Sequence, residues 1–474
     1  MSVHANAAQG ASPSSTPARP LRGVRVLDLS WLLPGPFCTN ILAELGAEVV
    51  KVERPEGGDH LRTLMPGASA IVNRGKRSIV LDLKRVEDRE TFDALLAASD
   101  VFVESFRPGV AQRLGCDWAT LSARHDRLIY LSLSGYGQDG PLAQHPGHDI
   151  NYLALAGAMG IPGHWGEEPR RSGLPVGDLA AALYGVINIL AALRARDAGG
   201  RGTFIDLAIA ESVLHWSQIR IADLDRSGAV ARWGHLQPGS DVFATADGAR
   251  IALGVVEGKF WRAIAEAVGD PALARRAEDF EHARWETREA VGDALRTSLG
   301  AAISAHACAH WERVLAAADV PFSVIADPAG AMEAPQFIAR GMVATIPERP
   351  GGVRVAALPG RRYRGVAGRA PALDEHGAPL MAFLKDRLAA PAGDVDKPDR
   401  ERRDDEQGDQ KRADQRADRG VPSLLDGGDV GHRRHDRFED LAIGERDVDA
   451  LVRVEVHPVP ERRIDLHADE LESV

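Results

Sequence analysis

Cysteine is scarce in this chain: three residues in 474, Cys38, Cys116 and Cys308, set far apart. A disulfide framework or a zinc site calls for closely spaced cysteines, so the expectation is free thiols, a reducing cytoplasm and no metal centre. Long apolar runs are lacking too. No stretch reads as the roughly 20 residues of a membrane span, and no membrane partner is expected. The first twenty residues are small and polar, without the apolar core of a secretory signal, and read as a disordered lead-in. Positive charge is in deficit. The formal net charge is −11, which argues against nucleic acid as a partner. The familiar catalytic signatures are missing as well: no Walker loop, no G-x-S-x-G elbow, no H-E-x-x-H and no C-x-x-C.

What is present is an ordinary globular composition, 44% hydrophobic and 26% charged, in a chain long enough for two or three domains. From Leu21 a regular pattern begins. VRVLDLS (24–30), EVVKVE (48–53), KRSIVLDLK (76–84), DVFVES (100–105) and LIYLSLSG (128–135) read as strands. Helical periodicity at 37–47 and 85–99 separates several of them, which predicts parallel βαβ units and an open α/β sheet. The first strand is followed by WLLPGPFC, so the α/β expectation does not bring a nicotinamide cofactor with it. GDLAAALYGVINILAALRARD (177–197) predicts a buried helix, being nearly apolar all round in its middle. After about residue 222 the pattern changes to a smaller, mostly helical unit, with a strand at 247–255, helices at 257–268, 285–304 and 309–318, and a short strand at 321–328. VRVAALPG (353–360) and EHGAPLMAFLKDRL (375–388) read as a return to the main body. Beyond 390 the chain is dense in charges of both signs and poor in large apolar residues, a composition expected to stay disordered.

Several phrases, in order, carry a resemblance: 21–59 (LRGVRVLDLSWLLPGPFCTNILAELGAEVVKVERPEGGD), 73–84, 100–115, 128–141, GHDINYLALAG (147–157) and PVGDLAAALYGVINILAALRAR (175–196). Together they resemble the family III CoA-transferases, the group that includes formyl-CoA and carnitine CoA-transferases and the 2-methylacyl-CoA racemases. The resemblance runs from about 21 to about 388. It implies a Rossmann-like large CoA-binding domain (21–222), a smaller α+β domain (223–335), a C-terminal return (336–390) and an interlocked homodimer. It also implies a coenzyme A thioester as substrate, with no permanently bound cofactor.

Asp178 has two readings. Beside Gly177 at the head of a long helix, an aspartate satisfies free N–H groups as a cap. The resemblance makes it the catalytic carboxylate, which attacks the thioester in the transferases and acts as one of two acid/base groups in the racemases. A helix N-terminus would hold it ionised for either role. His148 and Asp149 match the racemase phrase GHDINY, where the histidine moves the α-proton and Asp149 would orient the imidazole. Glu257 in LGVVEGKFW matches the glutamate that supports that histidine. Their plainer readings are a loop histidine and a solvated surface charge. Against the racemases, LAAALYG follows Asp178 in place of a glycine-rich run, and HLQPGSDVFATADG (235–248) replaces the racemase segment. The glycine run of formyl-CoA transferase is absent from that region too. For coenzyme A the resemblance points to Leu33, Pro34, Arg54, Leu81, Asp82, Leu83, Lys84, Ser105, Phe106, Arg107 and Arg113, with arginine and lysine suited to the phosphates. The leading expectation is a CoA-transferase that passes CoA from an acyl-CoA to a carboxylic acid through Asp178. The alternatives are a 2-methylacyl-CoA racemase and a non-catalytic acyl-CoA-binding protein.

Overall fold

Six strands make one parallel sheet: β1 (Arg25–Asp28), β2 (Glu48–Glu53), β3 (Arg77–Val80), β4 (Val101–Glu104), β5 (Ile129–Ser134) and β6 (Thr203–Ala208). Their order is β3-β2-β1-β4-β5-β6, so the direction of winding reverses between β1 and β4. The computed structural model describes residues 19–161, 163–165, 170–227, 236–346, 352–360 and 368–382. The tail expected beyond 390, and the lead-in up to residue 18, lie outside the described residues.

Both faces of the sheet are covered, which is why its strands read as near-continuous apolar runs. Val26, Val101, Val103, Ile129 and Leu131 point to one side, against helices Pro34–Glu44 and Val176–Asp197. Leu27, Phe102 and Tyr130 point to the other, against Phe92 and Leu96 of helix Val86–Ala97. The Val176–Asp197 helix corrects the expectation on apolar runs. At 22 residues it is long and apolar enough to cross a membrane by length and composition. Here Ala181, Ile189 and Leu193 are packed into the domain core, and its first turn opens onto a cleft.

The structure departs from the sequence expectation at several elements. Helix Ile209–Ser227 runs past the point where the pattern changes. Helix Pro271–His282 was not expected, although its signals are in the chain: Pro271 occupies its first turn, the Asp270 carboxylate accepts from Ala272 N at 3.0 Å, and Leu273, Ala277 and Phe280 make a short buried stripe. The chain also spells G-x-G-x-x-G at 135–140 behind β5, yet no helix opens there and 141–144 continue as turns.

The smaller unit pairs a three-stranded antiparallel sheet, β7 (Val242–Ala244), β8 (Arg250–Leu253) and β9 (Phe322–Val324), with four helices between Gly258 and Ala317. Trp261, Ile264, Leu295, Leu299 and Trp311 form its core. A two-stranded ribbon follows, β10 (Val343–Ile346) with β11 (Val353–Ala356). The chain then covers the outer edge of β3. Val80 N donates to Asp374 Oδ1 at 2.8 Å, and His376 N donates to Ser78 O at 3.0 Å.

Beneath the C-terminal edge of β1, β2 and β3 lies a buried ionic network. Lys76 Nζ donates to Asp28 Oδ2 (3.0 Å), Thr39 Oγ1 (2.8 Å) and Pro36 O (2.9 Å). Lys51 Nζ sits 3.1 Å from Asp59 Oδ2 and donates to Ser30 O at 2.7 Å. All four of these charged side chains are sealed from solvent. Burial and the neighbouring Lys51 bring Lys76 down to about 8 despite the Asp28 carboxylate, while the two lysines hold Asp28 well below the usual carboxylate range against its own burial. Removing one member strands a buried charge. Lys76→Ala is therefore expected to cost about 3–5 kcal/mol in urea unfolding, whereas Arg25→Ala, which breaks the exposed pair with Glu48 at 3.1 Å, should cost about 0–1 kcal/mol.

Candidate active site

A parallel sheet gathers its loops at the C-terminal ends of the strands, and there the structure has a cleft of about 940 Å³. The loop after β1 forms one wall. Trp31 N donates to Ser105 Oγ at 2.9 Å, which ties this loop to the one after β4. Leu32 takes a left-handed conformation, φ 61°, rare for a leucine, and its N–H donates to Asp59 Oδ1 at 3.0 Å. Lys51 in turn anchors Asp59, so the buried network fixes the wall. The Arg54 guanidinium lies 5.6 Å from the Trp31 ring, and the rings of His60 (5.4 Å) and Phe106 (5.8 Å) meet Trp31 edge-on. An aromatic plate beside a cation suits a ligand that carries both an aromatic base and phosphates. Below the β4 loop, Glu104 is buried and its carboxyl is pushed up to about 7 by desolvation; it accepts from Phe106 N at 2.6 Å.

Of the residues singled out from sequence, Pro34, Arg54, Leu81, Asp82, Leu83, Lys84, Ser105, Phe106, Arg107, His148 and Asp178 line this one cleft. Leu33 does not; it precedes helix Pro34–Glu44 and its carbonyl accepts from Phe37 N at 2.9 Å. Arg113 is exposed at the end of the short helix Val110–Arg113, and it is Leu114 that reaches the cleft. Glu257 is exposed at the head of helix Gly258–Ala267 in the smaller unit, outside the cleft lining. Trp31, His60, Tyr136 and Tyr152 line the cleft and were missed. The one available signal, for Trp31, Tyr136 and Tyr152, was aromatic side chains inside the quoted phrases; His60 falls one residue past the first of them.

Asp178 stands in the first turn of helix Val176–Asp197 and lines the cleft. The helix is capped by a different aspartate. Asp149 Oδ1 accepts from Gly177 N (2.8 Å) and Asp178 N (3.3 Å), while Arg171 Nη2 reaches Asp149 Oδ2 at 3.3 Å. Two expectations are corrected by this. Asp149 does not orient the imidazole of His148, because its oxygens are engaged with the helix and Arg171. Nor does the helix N-terminus hold Asp178 ionised. The first-turn N–H groups go to Asp149, and burial followed by the Asp149 charge pushes the Asp178 carboxyl up to about 7, with Arg171 opposing.

His148 opens helix Asp149–Leu155 with an exposed side chain in the cleft, its N–H donating to Asn151 Oδ1 at 3.0 Å. Tyr152 is buried beside it, and its hydroxyl donates to Gly147 O at 2.7 Å. A Cβ at Gly135 or Gly147 would lie 2.6–2.7 Å from the Tyr152 ring or hydroxyl, so both positions need glycine for this approach. A basic, half-buried carboxylate facing a cleft can attack an acyl carbon or accept a proton.

Comparisons with known proteins give the family. The family model for CoA-transferase family III matches residues 21–377. The chain is 36% identical over 395 residues to an acetyl-CoA:oxalate CoA-transferase of Acetobacter aceti, covering 80% of this chain and 98% of that protein. It is 33% identical to a succinyl-CoA:mesaconate CoA-transferase of Haloarcula marismortui, covering 76% and 95%. Among solved structures, a CaiB/BaiF family protein from Brucella suis matches with a TM-score of 0.68 and 31% identity, over 77% of this chain and all of that one. This chain belongs to CoA-transferase family III and is an enzyme of that family.

The rate that depends on ionised Asp178 is expected to rise with pH through about 7. Asp149→Asn removes the like charge, so in kcat/KM profiles the rising limb should move to lower pH; Arg171→Gln removes the opposing cation and should move it higher. Because folding raises this carboxyl from 3.8, the folded state binds its proton more tightly, and stability from this group falls as pH climbs from about 4 towards 7.

Proposed function

We propose that the enzyme transfers CoA from an acyl-CoA to a small carboxylic acid, with Asp178 as the nucleophile. The observation that carries this reading is Asp178 itself, a half-buried carboxylate lining the cleft and kept more basic than an ordinary aspartate. Its oxygen attacks the acyl carbonyl and CoA leaves as the thiolate, giving an acyl-aspartyl anhydride. The thiolate attacks the aspartyl carbonyl, which releases the donor acid and leaves an aspartyl-CoA thioester. The acceptor carboxylate repeats the two steps in reverse order, and Asp178 is regenerated as acyl-CoA departs. Names of similar proteins carry oxalate and mesaconate, which supports a short acid as acceptor. Arg54, Lys84 and Arg107 are the cations of the cleft placed for phosphates. The racemase reading has His148 in the same cleft as Asp178, but Glu257 stands outside it. With two buried free thiols, Cys38 and Cys116, the reading includes a cytoplasmic setting.

Asp178→Ala should lower turnover by roughly a thousandfold or more. Incubation of the wild type with acyl-CoA should give an aspartyl-CoA adduct that hydroxylamine traps at Asp178. Deuterium exchange at the α-carbon of a chiral 2-methylacyl-CoA in deuterated water, with loss of optical purity and no acceptor present, would instead establish the racemase.

The reading also includes a homodimer. Leu183, Ile187 and Leu190 form an exposed apolar stripe on helix Val176–Asp197, and Leu214, Trp216 and Ile219 are exposed on the adjoining helix Ile209–Ser227. Such a contiguous patch is unusual on a free surface. Light scattering should give a dimer mass for the wild type and a smaller one for Ile187→Glu/Ile219→Glu.

A further inference from the structure

Strand β4 ends on a carboxylate closed off from solvent. Glu104 is 2% exposed, and it stands in register with Ser132 of β5, which pairs in turn with Asp206 of β6. The row before it on the same strands is aromatic: Phe102, Tyr130 and Phe204. The polar row is joined to the loops above it. Phe106 N donates to Glu104 Oε2 at 2.6 Å and closes the turn that leads from β4 into the cleft. Gln138 Nε2 donates to Ser132 Oγ at 2.8 Å, and Gln138 N donates to Asp206 Oδ2 at 3.1 Å. Ser132 Oγ thus accepts from Gln138 and keeps its own proton for Glu104, whereas the Tyr130 hydroxyl donates to Cys116 O at 3.0 Å.

We infer that Glu104 is a positioning residue for coenzyme A, because it fixes the turn that presents Phe106, and through it Trp31, to the ligand. Phe106 meets Trp31 edge-on at 5.8 Å, and Ser105 Oγ, in the same turn, accepts from Trp31 N at 2.9 Å. An ionised Glu104 accepts the Phe106 N–H in a charge-assisted bond, roughly twice as strong as one to a neutral carboxyl. Desolvation pushes this carboxyl up to about 7, so the wall is held firmly above neutral pH and more loosely below it. Of the groups around it, desolvation pushes the Cys116 thiol up to about 12 and raises the Tyr130 phenol too. Asp117, despite desolvation, is held low by Thr120, and Arg89 donates to the carbonyls of Leu114 and Gly115. Desolvation also raises Asp206 on β6, against the hydrogen bond from Gln138. The inference rests on the reading of this wall as the seat of CoA and not on the role of Asp178, on which Asp149 and Arg171 are the acting charges.

The test uses Glu104→Gln, which keeps the size of the side chain and an oxygen for Phe106 N but cannot ionise. Free CoA is the probe, and its Kd is measured by calorimetry for both proteins at about pH 6 and about pH 8. At the lower pH the two are expected to bind alike. At the higher pH the variant should bind about fivefold more weakly, the margin between a charge-assisted and a neutral hydrogen bond. Titration of the CoA phosphates and of Asp206 is common to both proteins and cancels in that ratio. In turnover the same variant should raise KM for acyl-CoA by a similar factor and keep kcat within about twofold. A merely structural Glu104 would lower the melting temperature and leave the ratio of Kd values equal at the two pH values, and that result overturns the inference. Trp31→Ala separates it from the reading beneath it. Unweakened CoA binding in Trp31→Ala removes the wall as the seat of CoA, whereas weakened binding there beside a pH-independent ratio in Glu104→Gln removes only the role of Glu104.

Discussion

The site depends on where one carboxylate spends its hydrogen-bonding capacity. Asp149 faces the free N–H groups of Gly177 and Asp178 and so caps a helix that begins 27 positions later in the chain. A cap of this kind is worth about 1 kcal/mol to the helix. It also acts electrostatically, because its charge beside Asp178 adds to the effect of burial in raising that carboxyl. By accepting the first-turn N–H groups, Asp149 both starts the helix and withholds their stabilisation from Asp178. The second aspartate is left with burial and a like charge, and its proton affinity rises.

The buried network under the other end of the cleft plays a different part. Asp28, Lys51, Asp59 and Lys76 are fully enclosed, and enclosure of ions is a poor route to stability, because desolvation consumes most of the attraction gained. What the network does secure is geometry. It holds the carbonyls of Ser30 and Pro36 and, through Asp59, the left-handed turn at Leu32. A leucine kept at φ 61° needs surroundings that overdetermine it, and a buried charge that must keep its partners supplies that constraint. The wall that carries Trp31 is therefore rigid before any ligand arrives.

Much of this was legible in the chain. EVVKVE (48–53) coincides with β2, and the phrases around Pro34, Arg54, Leu81 to Lys84, Ser105 to Arg107 and Asp178 converge on one cleft. Local apolar patterning and contiguous motif phrases carry such information because they are set by neighbours in sequence. Non-local pairing was not legible. Lys51 sits in EVVKVE with nothing local to mark it as buried, yet it is enclosed because Asp59 and the Ser30 carbonyl close over it from other loops. Asp149 reads as a partner for the adjacent imidazole, but the helix N-terminus that claims it stands 28 positions further on. Trp165 sits in a loop rich in glycine, proline and charge, with no periodicity to mark it as core; a socket built by Gly292 and Asp293 makes it so.

The proton affinity of Asp178 also bears on its proposed role as the nucleophile. An aspartate of ordinary acidity is always ionised at neutral pH but is a weak nucleophile towards a thioester. One held near 7 is ionised in about half of the molecules at pH 7, a loss of only about twofold, and is more basic in each of them. The product of ionised fraction and reactivity is greatest when the pKa lies near the working pH, which is the condition that burial and Asp149 together create. Arg171 limits the shift from the other side. Without it the carboxyl would climb further and the ionised fraction would fall faster than reactivity rose. Burial raises the Asp178 carboxyl most, and the two charges flanking it act in opposition on that shift.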